Sequence, residues 1–327
     1  MSLSNYGRIL GVGKCVDGVV VHNNDLSTIM ETSDEWISQR TGIRERVVAY
    51  DDAAMLAYKA ADAALTKAKL TIEDINMIIV ATITSEYVMP TTSGAVLKLF
   101  ETDHQCPCFD INVACSGFVY GLDIAEKMMA SGEYTNILVI GSETLSRVLD
   151  WSDRATAVLF GDGAGAAVIG KSDHRQIGPS HLSTKRDANE SLLLYNVHDP
   201  LPFLDEQPPE KQQYVRMAGQ EVFKFAVKTT QEAIEIVLDK ANLAMEDIDH
   251  FVFHQANERI VNYVAKRMGI PETKVFLNMN KYGNTSAASI PIALCEMDEA
   301  EILKPGDRIM LVGFGAGLSW GTILVEW

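Results

Sequence analysis

Ala68-Lys69-Leu70-Thr71-Ile72-Glu73-Asp74-Ile75-Asn76-Met77-Ile78-Ile79-Val80 returns 173 residues later as Ala241-Asn242-Leu243-Ala244-Met245-Glu246-Asp247-Ile248-Asp249-His250-Phe251-Val252-Phe253. Five of the thirteen positions are identical. Each copy reads as a helix end, a turn and a continuous apolar strand. The helical stretches before them, 53–69 and 226–242, correspond as well. A second echo lies near the same offset: Ile137-Leu138-Val139-Ile140, reached through Gly132, matches Ile309-Met310-Leu311-Val312, reached through Gly306. Two echoes at nearly one offset indicate an internal duplication. The expected units are an N-terminal half at 1–171 and a C-terminal half at 215–327. Between them, 172–214 holds Pro179, Pro200, Pro202, Pro208 and Pro209 among many charges. It reads as an irregular insertion, too polar and proline-rich for a core element.

Within each half, helical stretches alternate with short apolar runs at 77–81, 108–113, 137–140, 251–253, 275–277 and 308–312. Such runs mark strands covered on both faces, and so a layered α/β protein. The Gly161-Asp162-Gly163-Ala164-Gly165 stretch reads as a hairpin turn; without a Lys-Ser/Thr ending it is no phosphate loop.

Three polar residues stand at the ends of apolar runs. Cys115 closes one run and opens a helix through Phe118, Leu122, Ala125 and Met129. A thiol at a helix N-terminus is expected below its free pKa of about 8.5. His254 directly follows Phe251-Val252-Phe253, at the strand end where α/β folds place their chemistry. Its counterpart in the first half is Ala81, so the chemistry is asymmetric. Asn284 lies in a loop tightened by Gly283, ahead of an apolar helix. A thiol, an imidazole and an amide are the parts of a nucleophilic acyl-transfer site. Papain-like proteases use Cys, His and Asn in this order, and the 139-residue gap from Cys115 to His254 fits them. Their signature around the nucleophile is absent, however, and the apolar flanks of Cys115 favour a buried tunnel over an open peptide cleft.

The 28 basic and 44 acidic residues give a net charge of −16, which opposes general nucleic-acid or anionic-membrane binding. No signal-peptide profile and no membrane-length apolar run is evident. Five cysteines, an odd number, point to a reducing cytoplasm without a disulfide framework. Cys106 and Cys108 lack a second Cys/His cluster, so they read as small buried residues and no metal site is expected.

Longer motifs carry a resemblance. They include Thr32-Ser33-Asp34-Glu35-Trp36-Ile37, Arg40-Thr41-Gly42-Ile43-Arg44-Glu45-Arg46, Asp110-Ile111-Asn112-Val113-Ala114-Cys115-Ser116-Gly117-Phe118 and Phe160-Gly161-Asp162-Gly163-Ala164-Gly165. Further along stand Met217-Ala218-Gly219-Gln220-Glu221, His254-Gln255-Ala256-Asn257, Gly283-Asn284-Thr285-Ser286 and Gly313-Phe314-Gly315-Ala316-Gly317. Over nearly its whole length the chain resembles the β-ketoacyl-acyl-carrier-protein synthase III family of the thiolase superfamily. The resemblance implies a layered α-β-α-β-α fold of two duplicated halves. It implies an acyltransferase that starts fatty-acid chains: an acyl-CoA acylates Cys115, then malonyl-acyl-carrier-protein condenses with loss of CO2, aided by His254 and Asn284. Backbone N–H groups of Cys115 and Ala316 would form the oxyanion hole, with Phe314 as a steric partner of Cys115. Thr32, Trp36, Arg40, Arg154, Gly219 and Asn257 would bind CoA, a substrate rather than a cofactor. Lys224, Arg259, Lys266 and Arg267 would meet the acidic carrier protein. Thr32 with Glu35 also makes a capping-box pattern. Met89, where many relatives carry Phe, would reach the acyl pocket of a partner in a homodimer. A relative passing the Cys-bound acyl group to another acceptor is the nearest alternative. A catalytically silent acyl-binding module would have no need of His254 and Asn284 together.

Overall fold

The structure, a computed structural model, describes residues 5–196, 202–203 and 211–327. Nine strands build two sheets: β1 (Tyr6–Cys15), β2 (Met77–Ala81), β3 (Cys108–Ile111), β4 (Asn136–Thr144), β5 (Asp162–Ser172), β6 (Ile177–Thr184), β7 (His250–Phe253), β8 (Arg308–Gly315) and β9 (Ser319–Glu326). The principal helices are α1 (Asp34–Thr41), α2 (Ala53–Ala68), α3 (Thr92–Leu99), α4 (Gly117–Ala130), α5 (Gly219–Ala241), α6 (Glu258–Met268) and α7 (Ser289–Glu299). The first sheet runs β1-β5-β4-β2-β3 and the second β6-β9-β8-β7. In both, the parallel pairs form at corresponding places, Met77 opposite Ile137 and His250 opposite Ile309. Helices α4 and α7 lie between the sheets, α2 covers the outside of the first, and α5 covers the outside of the second. This is the five-layered, duplicated thiolase fold. Among the described residues, no helix is long and apolar enough to cross a membrane.

The identical residues of the repeat have local causes. Lys69 and Asn242 end their helices in the left-handed conformation (φ 57° and 53°), and Leu70 and Leu243 then donate back to Leu65 and Leu238 at 3.0 Å. Asp74 accepts the Thr71 N–H at 2.9 Å, and Asp247 accepts the Ala244 N–H at 2.8 Å. Every residue of β2 is buried, as a strand sandwiched between helical layers requires. Each such aliphatic side chain contributes about 1.5–3 kcal/mol. An alanine stripe on α2 (Ala53, Ala57, Ala60, Ala61, Ala64) lets the helix settle on β1. A Cβ at Gly11 would stand 2.6 Å from Ala68 N, so glycine is what permits this approach.

Three expectations need correction. The stretch 172–214 is not wholly an irregular insertion, because β6 pairs along β9 as the edge strand of the second sheet. It takes the place that β1 has in the first sheet, so the second half begins earlier than residue 215. Pro179 is tolerated there because an edge strand has a side with no ladder bonds to donate. The parts of that stretch at 197–201 and 204–210, with Pro200, Pro208 and Pro209, lie outside the described residues. Residues 275–277 form no strand but a single bridge, Phe251 to Val275. The Gln255 side chain replaces the missing ladder, donating to Phe276 O at 3.3 Å and accepting the Asn278 N–H at 2.9 Å. Asp162 is no hairpin turn. It is buried at the start of β5, where its carboxylate accepts from Ala49 N, Ser146 N and Ser146 Oγ.

Candidate active site

Two short turns related by the repeat face each other between the sheets. In the first, Ala114 is left-handed (φ 46°) and leads into Cys115 ahead of α4. In the second, Ser286 is left-handed (φ 49°) and leads into Ala287 ahead of α7. Non-glycine residues hold this conformation at a cost and need a surrounding that enforces it. Part of that surrounding is Gly315 at the end of β8, where a Cβ would lie 2.9 Å from Cys115 N and 3.3 Å from its Sγ. Gly315 was missed as a site residue. The repeat gives no signal for it: Gly141 and Gly313 are counterparts that approach the Ala287 and Ser116 backbones, whereas the counterpart of Gly315 is Glu143.

Cys115, His254 and Asn284 line one mostly apolar cavity, together with Ser286, Phe314 and Ala316. His254 is fully buried beside the end of β7, with its N–H on Val312 O at 2.7 Å. Its Nδ1 lies 2.7 Å from Ser289 Oγ, which already accepts the Gln255 N–H. The Ser289 hydroxyl can donate its proton to Nδ1, and in that tautomer the imidazole proton sits on Nε2. Burial holds the ring far below its ordinary pKa, at about 3, so it is neutral. Phe314 meets it edge to face at 5.3 Å. Asn284 Oδ1 accepts the Ser286 N–H at 2.9 Å, leaving the amide NH2 as a donor. The Asn284 backbone bridges to Leu159 O and Gly161 N at 2.8 and 3.0 Å. His254 and Asn284 are therefore both set up to donate.

The Cys115 thiol corrects an expectation. Burial pushes it up to about 12, and the Glu143 charge adds to this, whereas the Ser286 hydroxyl opposes it. Desolvation of the buried sulfur dominates, so the resting thiol is protonated.

A second cleft adjoins the first and shares Leu159, Met217, Gly219, Phe223 and Asn257 with it, so the two form one tunnel. Its outer end holds Trp36 with Arg40 and Arg154 at 4.4 and 4.9 Å from the ring centroid. Lys224 and Arg259 also line it, although Lys224 pairs with Glu221 at 3.0 Å. Arg267 lies in a neighbouring groove with Lys224, and the exposed Lys266 lines neither. Thr32 lines neither cleft, and the cap of α1 is Ser33, whose Oγ accepts the Trp36 N–H at 3.1 Å, not Thr32. Met89 is 86% exposed and does not reach its own chain's cavity. Cys106 and Cys108, 3.9 Å apart at sulfur, pack half-buried against α2 and α3, and the described residues contain no cluster suited to a metal ion.

Comparison with known proteins shows the family and the fold. Residues 109–186 match the family described as 3-oxoacyl-[acyl-carrier-protein (ACP)] synthase III, and residues 238–327 match its C-terminal region. The β-ketoacyl-[acyl-carrier-protein] synthase III of Clostridium tetani is 44% identical over 328 residues, covering 98% of both chains. The crystal structure of 3-oxoacyl-[acyl-carrier-protein] synthase III from Aquifex aeolicus superposes with a TM-score of 0.91 at 41% identity, covering 98% of this chain and 100% of that one. The priming β-ketosynthase of the R1128 polyketide pathway gives 0.93 at 33% identity, covering 100% and 97%. One matched region carries Cys115 and the other carries His254 and Asn284. The chain belongs to the β-ketoacyl-[acyl-carrier-protein] synthase III family, the acyl-transferring condensing enzymes that start fatty-acid chains.

Proposed function

We propose that Cys115 is the nucleophile that takes an acyl group from an acyl-CoA, and that His254 and Asn284 serve the condensation of that group with malonyl-acyl-carrier-protein. The observation that carries this reading is the single tunnel from Trp36, Arg40 and Arg154 to Cys115, His254 and Asn284. A flat aromatic ring beside two guanidinium groups suits an adenine nucleotide, and the apolar bore suits a pantetheine arm. Gly219 and Asn257 flank that bore.

In the first half-reaction Cys115 Sγ attacks the thioester carbonyl. The developing oxyanion is received by the backbone N–H groups of Cys115 and Ala316, and CoA leaves as the thiol. In the second, His254 Nε2–H and Asn284 Nδ2–H donate to the malonyl thioester oxygen. This stabilises the enolate formed as CO2 departs. The enolate carbon attacks the acyl-enzyme, forming the carbon–carbon bond and freeing Sγ. Phe314 shapes the space next to His254.

Lys224 and Arg259 at the mouth, with Arg267 beside them and Lys266 farther out on α6, form the surface for an acidic carrier protein. Exposed Tyr87, Val88 and Met89 fit a homodimer in which Met89 enters the partner's acyl pocket. The five free cysteines fit a reducing cytoplasm.

Intact-protein mass spectrometry with a panel of acyl-CoAs tests the first half-reaction. Wild type should gain one acyl mass and Cys115→Ser none. Adding malonyl-acyl-carrier-protein should then remove the adduct and yield a 3-oxoacyl-carrier protein. Failure to acylate with every primer would overturn the reading, and clearance by a different thioester alone would reassign the acceptor.

A further inference from the structure

Glu143 is fully buried at the end of β4 and takes no part in the steps above. Its Oε2 accepts from the Ile83 N–H at 3.1 Å, from Thr84 Oγ1 at 2.6 Å and, at the limit of range, from Thr82 Oγ1 at 3.4 Å. Its Oε1 has no partner among the described residues, and neither has the buried Ser286 hydroxyl. A buried polar atom left unpaired carries its full desolvation cost, so two beside one nucleophile call for a reason.

The repeat supplies an asymmetry. Glu143 stands where the second half has Gly315, and Ser286 stands where the first half has Ala114, each at an offset of 172 residues. The Cys115 turn thus has only Ala114 and Gly315 at these places, and the carboxyl–hydroxyl pair stands at the facing turn before α7. The Ser286 backbone is fixed by Asn284 Oδ1, and its hydroxyl, hydrogen-bonded to neither group in the resting structure, favours the charged form of both the Cys115 thiol and the Glu143 carboxyl. Glu143 is faced by Thr82, Ile83 and Thr84 after β2, by Ser286 before α7 and by Cys115 before α4. No Lys or Arg is among these groups. His254, across the cavity, is neutral with Nδ1 already engaged.

We propose that Glu143 accepts the Cys115 thiol proton through the Ser286 hydroxyl. As Sγ bonds to the thioester carbonyl carbon, its proton passes to Ser286 Oγ and the hydroxyl proton passes to Glu143 Oε1. When the carbon–sulfur bond to CoA breaks, the proton returns by the same path to the CoA sulfur, and CoA leaves as a neutral thiol. Glu143 touches no substrate atom; it is a positioning residue for the proton. Burial raises its carboxyl to about 7, close to what a proton acceptor working at neutral pH needs, whereas His254 at about 3 is a poor base. The inference rests on Cys115 being the nucleophile, but its test needs no acyl-CoA.

The test is the pH profile of Cys115 alkylation by iodoacetamide in the full-length protein, read by peptide mass spectrometry with Cys115→Ser as the assignment control. Glu143→Gln keeps an acceptor for the Ile83 N–H, and thermal melting checks that it folds. It should alkylate at least about tenfold more slowly than wild type near neutral pH and recover at alkaline pH, where the thiol ionises unaided. Ser286→Ala should show the same loss, and Glu143→Asp should restore part of the rate. An unchanged or faster rate in folded Glu143→Gln, as expected from merely removing a negative charge beside the thiolate, would overturn the proposal. So would a wild-type profile in Ser286→Ala, which decides the matter if Glu143→Gln does not fold. Normal alkylation without acylation by any CoA would instead count against the proposed function.

Discussion

Ser289 Oγ and the Ser286 N–H do equivalent work at the two donor side chains. Each occupies the atom that would otherwise accept, so that a donor faces the cavity. Asn284→Asp isolates this feature, because a carboxylate still accepts the Ser286 N–H but has nothing to donate. It should leave Cys115 acylation within a few-fold of wild type while slowing condensation on the order of 10²–10³-fold, the usual loss for one oxyanion donor. His254→Ala should behave likewise. Single-turnover mass spectrometry, loading the acyl group first and adding malonyl-carrier protein second, separates the two rates; equal loss of both would refute the division of roles. Cys115, His254 and Asn284 were legible because each interrupts an apolar run at a strand or helix end. Glu143, Ser286 and Ser289 were not, because Ser-Glu-Thr after a strand and Ser-Ala-Ala-Ser before a helix read equally well as solvent-facing turns. Only the assembled fold turns them inward.

At the level of elements, β8 brings its last residue against the turn before α4, and Gly315 sets how close that approach is. Gly315→Ala would drive a methyl carbon to 3.0 Å from Cys115 Cβ, and neither the strand end nor the left-handed turn has room to yield. Stability should fall by roughly 1–3 kcal/mol, as for other overpacked sites. Acylation should fall about 10²-fold, as expected when a reacting atom is displaced by about 1 Å. Calorimetry and the acyl-CoA mass assay give the two numbers, and a variant that acylates at the wild-type rate would remove Gly315 from the site. Elements buried on both faces, such as β2 and β7, were readable as unbroken apolar runs. The edge strand β6 was not, since Gly178, Pro179, Ser180 and His181 are ordinary loop residues and its pairing with β9 is set by residues about 140 positions away. Residues 275–277 failed for the opposite reason: an apolar run was present, but the Gln255 side chain does the pairing.

For the molecule as a whole, folding a nucleophile between two sheets leaves ionisable groups in a dry interior, and stability must depend on their titration. His254 is lowered in the folded state to about 3 from an ordinary 6.5, so its contribution is full above 6.5 and is lost as pH falls through 3. Glu143 is raised from 4.5 to about 7, so its contribution is full below 4.5 and is lost as pH rises through 7. The two act in opposite directions, which makes them separable. Glu143→Gln removes the second alone. Against wild type it should gain stability steadily between about pH 5 and pH 8, by roughly 3 kcal/mol at most, since one pKa unit corresponds to about 1.4 kcal/mol. Urea unfolding across that range measures the difference. A gap between the two proteins that does not change with pH would mean that Glu143 titrates alike in the folded and unfolded chain, and that its burial beside Cys115 exerts no electrostatic strain on the fold.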